Sequence, residues 1–265
     1  MKTIKKYIKR NFNNHINVLT YNVCWECISR ESKRGSAKNY GKRCGSNKSK
    51  HNKCFNNIVN LCSNFPYTFI CLQEGNIELA NEIILKLIKK NKGKYSKIVK
   101  KSDKEDSIII YRSDLFKKGK FIKYGHIDEI GRPYLFQDFI NINNKERLYI
   151  GNIHGPHVDT NIDCLKWIKK YLNIIFKNQI LNDKKIIIMG DFNKELKRNI
   201  NIEELKLNLK VLNKGILKTV YSNRKDENGI DNILISKNIK NLNNPKTINI
   251  KLSSDHKPLT CSLKI

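Results

Sequence analysis

The chain of 265 residues is 39% hydrophobic and contains 11 Tyr and 10 Phe, a composition that excludes an intrinsically disordered protein. It is long enough to bury a sizeable core, and it lacks the run of about 18 or more apolar residues that a transmembrane helix requires. Its basic start, MKTIKKYIKRNFNN, also lacks the apolar segment of a secretory signal. We therefore expect an intracellular protein, in the cytoplasm or the nucleus, without a membrane span.

The formal net charge is +28, from 52 basic and 24 acidic residues. Such an excess attracts polyanions, and nucleic acid is the first candidate partner. A compositional origin of the charge stays open, because only nine of the basic residues are Arg and the chain is also rich in Asn and Ile, as in proteins of AT-rich genomes. In either case the positive field acts on an anionic ligand. The sequence carries no signal for oligomerisation.

In chain order, the first predicted strand covers 16–23 and brings Asn22 to its end. A stretch at about 29–53, rich in Ser, Lys, Gly and Asn, is predicted to be a basic surface insertion. A helix is expected over 54–61 and a buried strand over 68–72. The insertion leaves the end of the first strand, so we expect it to lie beside the polar residues found there.

The next predicted helix, over 77–88, has apolar residues at helical spacing. We expect its sheet-facing side to carry Ile77, Ala80, Ile84, Leu87 and Ile88. Further strands are predicted at 107–111, 134–142, 147–153, 185–189, 230–235 and 259–263. A helix begins at the candidate capping box of Thr160 and Asp163. Strands and helices do not alternate strictly, which argues against a parallel Rossmann sheet. We read the whole chain, 1–265, as one domain.

The cysteines suggest one candidate zinc cluster, formed by Cys24, Cys27, Cys44, His51 and Cys54. The second half of this cluster lacks the paired spacing of a zinc ribbon, so we do not expect a structural zinc. Without an export signal we expect a Cys44–Cys54 disulfide still less, and we predict reduced, partly exposed thiols. Three further cysteines in apolar patterns are predicted to be buried: Cys71, Cys164 and Cys261.

Six short motifs each place acidic, amide or imidazole groups at the end of an apolar run, as a rigid sheet does when it delivers polar groups to one rim. They are Asn22 in LTYNVCWE, Gln73 and Glu74 in FICLQEGN, Asn152 and His154 in GNIHGP, Asp191 and Asn193 in IIIMGDFN, Asp231 in NGIDNILIS, and Asp255 and His256 in SSDHKPL. Each motif alone is weak, but the ordered set is specific.

Together, these motifs resemble the endonuclease/exonuclease/phosphatase superfamily, the metal-dependent phosphodiesterases that include pancreatic deoxyribonuclease, the apurinic endonucleases and the inositol-polyphosphate phosphatases. The resemblance covers about residues 17–263. It implies an α/β fold of the deoxyribonuclease I type, a four-layer sandwich in which two packed mixed β-sheets are flanked by helices.

Residue chemistry and the resemblance agree on a metal site. A carboxylate at the end of a buried strand is costly unless it is paired or bound to a cation, and Mg²⁺ prefers oxygen ligands. Glu74 is therefore the first candidate ligand, and the alternative is a carboxylate that only stabilises a helix N-terminus. The resemblance adds Asn22 and Asp255 to the metal site and implies Mg²⁺, with Mn²⁺ as a substitute.

The remaining motifs supply candidate catalytic groups. Asp191 and Asn193 are two residues apart and point to one side of an extended chain, although Gly-Asp-Phe-Asn alone is also an ordinary turn. The resemblance implies that Asp191 positions or deprotonates the attacking water, that Asn193 binds a phosphate oxygen or the metal shell, and that Asp231 orients His256. Whether Asp191 or His256 takes the proton stays open.

Three more residues concern the substrate. The resemblance implies that His154 assists the leaving oxygen, which favours a deoxyribonuclease-like member, although phosphatases and lipid hydrolases also carry a histidine here. Gly155-Pro156-His157 departs from the apolar continuation of many relatives. Asn152 shares the i, i+2 relation with His154 and is a candidate phosphate-binding residue. Arg132 is another, because its forked donors suit phosphate, but a plain turn arginine is equally compatible.

These observations predict a divalent-metal-dependent phosphodiesterase that hydrolyses nucleic acid, as an endonuclease or an exonuclease. One alternative is a hydrolase of another phosphate ester, such as a phosphoinositide or a tyrosyl-DNA linkage. A second is a non-catalytic nucleic-acid-binding protein, against which the complete set of polar motifs argues. The choice between DNA and RNA stays open at this stage.

Overall fold

The computed structural model describes residues 15–28, 48–101, 105–126, 131–156, 164–177, 179–221, 229–250 and 253–265. In chain order the strands are β1 (His15–Asn22), β2 (Phe69–Gly75), β3 (Tyr95–Lys100), β4 (Asp106–Arg112), β5 (Phe116–His126), β6 (Pro133–Asn141), β7 (Arg147–His154), β8 (Lys185–Asp191), β9 (Ile200–Ile202), β10 (Leu207–Val211), β11 (Asp231–Ser236), β12 (Lys240–Asn241), β13 (Lys246–Thr247) and β14 (Leu259–Lys264). The α-helices are α1 (Trp25–Ile28), α2 (Lys48–Asn64), α3 (Ile77–Lys89) and α4 (Cys164–Ile175).

The strands form two seven-stranded mixed sheets. The first sheet has the order β12-β14-β1-β2-β4-β3, with β13 also paired to β14, and the second has the order β5-β6-β7-β8-β11-β10-β9. Each sheet contains one parallel pair, β1 with β2 and β7 with β8. Because the carboxyl ends of parallel neighbours meet at one edge, these two pairs create a polar rim on each sheet.

Three apolar layers separate the four layers of secondary structure. The sheets face each other across a core that includes Phe69, Phe116 and Phe139. Helices α2 and α3 cover the outer face of the first sheet, and α4 covers the outer face of the second. The predicted four-layer α/β sandwich is confirmed. Among the described residues, no helix has the length and apolarity to cross a bilayer.

Most predicted elements match within one or two residues, but the edge strands β3, β5 and β9, the neighbouring strand β10 and the short strands β12 and β13 do not follow from the sequence pattern. Strands β3 and β5 are rich in Lys, which is typical of exposed edge strands because charge prevents edge-to-edge pairing. This composition conceals the alternation of a half-buried strand.

Two helix predictions need correction. Helix α2 begins at Lys48 rather than at residue 54, so the proposed insertion is shorter at its end, and residues 29–47 lie outside the described residues. The buried side of α3 consists of Leu79, Ala80, Ile83 and Leu87, whereas Ile77 and Ile88 are exposed. The predicted face was wrong by part of a turn because the helix is apolar over a wide arc. Thr160 and Asp163 lie outside the described residues.

The cysteine prediction also changes. Cys24, Cys27 and Cys54 form a small buried cluster, in which Cys24 and Cys27 are not disulfide-bonded and Cys54 is. The prediction of reduced, partly exposed thiols is wrong for the exposure of all three and for the redox state of Cys54. Cys44, the predicted fourth member, lies outside the described residues.

A buried amide pair ties the two sheets together directly below the rim. Asn152 of β7 donates through Nδ2 to the carbonyl oxygens of Leu72 and Ile108 in the first sheet, at 2.9 Å each. Its Oδ1 accepts a 2.7 Å hydrogen bond from Gln73 Nε2. The register between β2 and β4 shifts just after the Leu72–Ile108 pair, so the ladder is interrupted there. Asn152 therefore satisfies backbone groups that the bulge leaves without ladder partners.

We predict that Asn152→Ala destabilises the protein by about 2–4 kcal/mol, because it leaves buried carbonyl groups and the Gln73 amide without partners. In thermal unfolding this corresponds to a Tm lower by roughly 5–15 °C. The matched control is Asn208→Ala, which removes an exposed amide from β10. Equal Tm losses in the two variants would contradict the proposed role of the tie.

Candidate functional site

The polar rims of the two sheets meet at one place. Asn22 pairs with Gln73 at the end of the parallel β1–β2 pair, one residue before Glu74. In the second sheet His154 pairs with Asp191 at the end of the β7–β8 pair, and Asp231 begins β11 opposite Asp191. Strand ends from both sheets therefore place these side chains around one centre, as the sequence motifs predicted.

Asn22 links carboxylates from the two sheets. Its buried amide nitrogen Nδ2 lies 3.0 Å from Glu74 Oε1 and 3.0 Å from Asp191 Oδ2. Its Oδ1 accepts a 3.0 Å hydrogen bond from the backbone N–H of Cys24, which fixes the orientation of the amide. One uncharged side chain thus holds two anionic groups close together.

Glu74 sits at the bulge of β2 with a left-handed φ of +56°, which lifts its side chain out of the sheet. Its Oε2 accepts a 2.9 Å hydrogen bond from the backbone N–H of Trp25. Burial raises the pKa of Glu74, and the nearby Glu105 and Asp255 carboxylates raise it further against the opposing effect of His154. The negative charge of Glu74 is therefore only partly compensated. The N-cap of α3 is Asn76, so Glu74 does not serve as that cap.

His256 and Asp231 form a buried pair, with His256 Nδ1 2.9 Å from Asp231 Oδ2. A carboxylate only accepts here, so Nδ1 carries the proton and Nε2 points toward the centre. His256 Nε2 lies 3.6 Å from Asp191 Oδ2. Burial alone would lower the pKa of His256, but Asp231 and Asp191 raise it well above its ordinary value. The pair stabilises an imidazolium beside Asp191.

Asp191 is the carboxylate that both histidines approach. Burial alone would raise its pKa, but His256 and His154 together lower it below its ordinary value. Its Oδ1 accepts a 2.8 Å hydrogen bond from the backbone N–H of Asn193. Asp191 is therefore held as an anion in the middle of the rim.

His154 forms a second buried pair, with Glu105, a residue that the sequence analysis missed. The distance from His154 Nδ1 to Glu105 Oε2 is 2.8 Å. His154 Nε2 then lies 3.8 Å from Glu74 Oε1 and 3.7 Å from Asp191 Oδ2. Burial alone would lower the pKa of His154, but Glu105 raises it. The rim thus has two halves, each with a histidine–carboxylate pair: the His256 half with Asp231, and the Glu105 half with His154.

Glu105 has no motif of its own, because it lies in the Lys- and Asp-rich segment before β4. Its position follows from pairing: β4 runs antiparallel to β2, and Asp106 lies opposite Gly75. A residue just before β4 must therefore reach the same rim as Glu74. The only available signal was an acidic residue a few positions before the apolar run Ile108–Ile110, and its use required knowledge of the strand order.

Arg132 contacts this second half. Its Nη1 lies 2.9 Å from His154 Nε2, 3.4 Å from Glu105 Oε1 and 3.9 Å from Glu74 Oε1. The guanidinium group is partly exposed, so it presents positive charge at the mouth of the site. This position is compatible with the predicted phosphate contact, and the arginine does not act as a plain turn residue.

Asn193 has a left-handed φ of +51°, and its Nδ2 donates to the carbonyl oxygen of Gly155 at 2.9 Å. The Gly155 N–H donates in turn to the Asp191 carbonyl oxygen at 2.7 Å. A Cβ on Gly155 would come within 2.7 Å of the Phe192 carbonyl oxygen, so this close approach requires glycine. The local backbone packing therefore favours glycine at position 155. His157 lies outside the described residues.

Of two further predicted site residues, Asp255 lies at the rim and Asn152 lies below it. Asp255 is partly exposed, accepts a 3.2 Å hydrogen bond from Ser254 Oγ, and contributes to the raised pKa values of Glu74 and His256. It therefore belongs to the rim. Asn152 is 1% exposed, and both ends of its amide bond the first sheet below the rim. Its hydrogen bonds argue against the predicted phosphate-binding role, because the amide is already fully used.

The donor atoms of the rim fit a divalent cation. Two clusters of potential ligands occur among the described residues: Glu74 with Glu105 and His154, and Asp191 with Asp231 and His256. The convergence of carboxylates from both sheets on one place favours a cation here. Carboxylate-rich donor sets suit hard ions such as Mg²⁺ and Mn²⁺ better than soft ions.

No protein-family model matches this sequence, and no curated protein matches it. Solved structures are similar in fold over nearly the whole chain. A phosphatase of Bacteroides thetaiotaomicron VPI-5482, the mannosyl-6-phosphatase Bt3783, is 16% identical with a TM-score of 0.66 and covers 94% of this chain and 100% of its own.

Two further similar structures come from vertebrates. The D. rerio protein TDP2, in complex with a single-strand DNA product, is 13% identical with a TM-score of 0.62 and covers 95% of this chain and 99% of its own. The catalytic domain of human Nocturnin is 14% identical with a TM-score of 0.63 and covers 95% of this chain and 93% of its own.

An endonuclease/exonuclease/phosphatase family protein from Bacteroides vulgatus matches with a TM-score of 0.67. This chain therefore has the fold of the endonuclease/exonuclease/phosphatase superfamily.

Proposed function

We propose that this protein is a divalent-metal-dependent phosphodiesterase that hydrolyses the phosphodiester bonds of nucleic acid. The observation that carries the proposal is the pair of buried histidine–carboxylate units, His256–Asp231 and His154–Glu105, which both direct Nε2 at Asp191. A purely structural rim would not need two oriented imidazoles beside a lowered-pKa carboxylate. Perturbed groups of this kind concentrate at catalytic sites.

Glu74 and Asp255 would hold Mg²⁺ or Mn²⁺ at the rim. Asn22, predicted as a further ligand, already donates to Glu74 and Asp191 and accepts from the Cys24 N–H, so it would orient the Glu74 carboxylate instead. When bound, such an ion neutralises charge on the phosphate oxygens in the transition state. Asn22 keeps Glu74 and Asp191 in register across the two sheets. The protein thus contributes a fixed arrangement of oxygen donors rather than a flexible one.

The geometry favours a division of roles that the sequence left open. Asp191 is held as an anion, so it suits the acceptor of the proton from the attacking water. His256, stabilised as an imidazolium by Asp231, suits a donor to the phosphoryl oxygens. His154, oriented by Glu105, assists the leaving oxygen, and Asn193 and Arg132 contact phosphate. We propose Asp191 rather than His256 as the general base.

Nucleic acid is favoured as the substrate class by the net charge of +28, which attracts a polyanion. TDP2, one of the similar structures, was solved with a single-strand DNA product. Because a mannosyl-6-phosphatase has a similar fold, small phosphate esters are the competing substrate class. Hydrolysis assays across both classes therefore form the first test of the proposal.

We predict that Asp191→Asn and His256→Ala each lower kcat on nucleic acid by about 10²–10⁴-fold, the usual contribution of a general acid or base. The measurement is cleavage of labelled single- and double-stranded DNA and RNA with Mg²⁺. Exposed residues provide matched controls in Asp183→Asn and His15→Ala, which should keep full activity. Full activity of Asp191→Asn would refute the catalytic assignment, and turnover of sugar or inositol phosphates alone would refute the substrate class.

Metal binding provides a second test. We expect Glu74→Gln to weaken Mg²⁺ or Mn²⁺ binding at least about tenfold in calorimetry, since even an outer-shell partner typically contributes that much. Glu82→Gln, an exposed change on α3, is the matched control. Chelation of divalent ions should abolish hydrolysis without unfolding the protein. Unchanged affinity in Glu74→Gln would remove Glu74 from the metal site.

A further inference from the structure

Two lysine–tyrosine pairs lie beside the rim, and the mechanism uses neither. Lys100 Nζ lies 4.1 Å from the centroid of the Tyr124 ring, and Lys257 Nζ lies 4.9 Å from the centroid of the Tyr221 ring. We name them the Tyr124 pair and the Tyr221 pair. An ammonium group on an aromatic face combines a phosphate-binding charge with a surface on which a nucleobase can stack.

The Tyr124 pair lies next to the Glu105 half of the site. Tyr124 pairs with Leu135 of β6, three residues from Arg132, which is about 10 Å along the strand. Lys100 is the last residue of β3, and the next strand of the sheet begins one residue after Glu105. The Tyr124 side chain is 55% exposed, so its ring is accessible at the edge of the rim.

The Tyr221 pair lies next to the His256 half. Lys257 directly follows His256, and its backbone N–H donates to the Thr219 carbonyl oxygen. The Tyr221 N–H donates to the Asp255 carbonyl oxygen at 2.9 Å, so the two segments are paired around an isolated bridge at His256. Lys257 and Asp255 are two residues apart in extended backbone and share a side of it.

The strand order separates the two pairs. In the second sheet β8, which carries Asp191, lies between β7 and β11, so His154 and Asp231 flank Asp191 on different sides. Strand β5, with Tyr124, is farther out on the β7 side, and the His256 segment belongs to the β11 side. A chain that touches both pairs must therefore cross the centre of the site.

Charge supports a polyanionic occupant on the Tyr124 side. Strand β5 contains four lysines and no acidic residue. Such lysines also prevent edge strands from associating, and that function alone would explain them. It does not explain an exposed tyrosine with a lysine over its ring on the Arg132 side of the site. Stacking on an exposed ring requires a base that is free of its complementary strand.

We propose that the Tyr124 pair and the Tyr221 pair bind nucleotides on opposite sides of the scissile phosphate of a single-stranded nucleic acid, which makes cleavage internal rather than end-dependent. This inference rests on the proposed phosphodiesterase function and specifies its substrate form. A site that only trimmed chain ends would need an extended contact surface on one side alone, because the other side would hold just the terminal nucleotide.

The experiment uses covalently closed circles of single-stranded DNA and of RNA, with linear and double-stranded forms of the same sequence. Bis(p-nitrophenyl) phosphate reports basal phosphodiesterase activity separately, because it carries no flanking nucleotides. We expect the wild-type protein to open at least one of the circles at a rate similar to cleavage of the linear strand, and faster than the duplex. Degradation of linear strands from their ends only, with the circles left closed, would overturn internal cleavage.

The variants test the two pairs. We expect Tyr124→Ala and Lys257→Ala each to lower kcat/KM on the single strand about tenfold, the order of one base-stacking or phosphate contact, with unchanged hydrolysis of bis(p-nitrophenyl) phosphate. Tyr124→Phe keeps the aromatic face and should restore wild-type activity. Lys240→Ala removes an exposed lysine from the far edge of the first sheet and is the control.

The outcomes separate the two hypotheses. Equal effects of Tyr124→Ala, Lys257→Ala and Lys240→Ala, with hydrolysis of bis(p-nitrophenyl) phosphate intact, would overturn the inference and leave the phosphodiesterase in place. Absence of hydrolysis of every substrate by folded, metal-loaded protein would overturn both. If only one of Tyr124→Ala and Lys257→Ala lowers kcat/KM on the single strand, nucleotides are not bound on both sides of the scissile phosphate and the inference is overturned.

Discussion

The buried amide of Asn22 is the constraint on which the site depends. It donates from one nitrogen to carboxylates of both sheets, Glu74 and Asp191, at 3.0 Å each. Two anions this close repel each other, and a neutral donor offsets that repulsion without adding a mobile positive charge. The amide is itself fixed by the Cys24 N–H. Because its backbone lies at the end of β1, the position of the site follows from the stacking of the sheets.

The same rim concentrates local conformations that are rare in folded chains. Cys24, Glu74 and Asn193 all have left-handed φ values, although none is a glycine. Each is held by hydrogen bonds to its neighbours at the centre, through Asn22, the Trp25 N–H or Gly155. Such strain persists only where the surrounding structure compensates for it, and here the compensation comes from two packed sheets and the Asn152 tie. The rigid sheets thus fix the positions of the side chains at the site.

Two buried carboxylates of the rim have pKa values shifted in opposite directions. Glu74 keeps a raised pKa because burial exceeds its compensation, whereas Asp191 has a lowered pKa because His256 and His154 both act on it. One carboxylate is therefore left in need of a cation and the other is already anionic. This difference supports separate proposed roles, metal binding for Glu74 and proton acceptance for Asp191. Similar residue types acquire different chemistry from their neighbours alone.

The sequence by itself determined the central strands and most of the rim, because apolar runs that end in Asn22, Glu74, His154 or Asp191 leave little freedom in where those side chains emerge. The fold class followed from the resemblance of the six motifs to a known superfamily. Only the tertiary structure decided which residues become partners. Glu105 reaches His154 because β4 lies antiparallel to β2, and Asn152 moves from the predicted site to an inter-sheet tie because a bulge exposes carbonyl groups beside it. Both depend on contacts between residues far apart in the chain, which local periodicity does not encode.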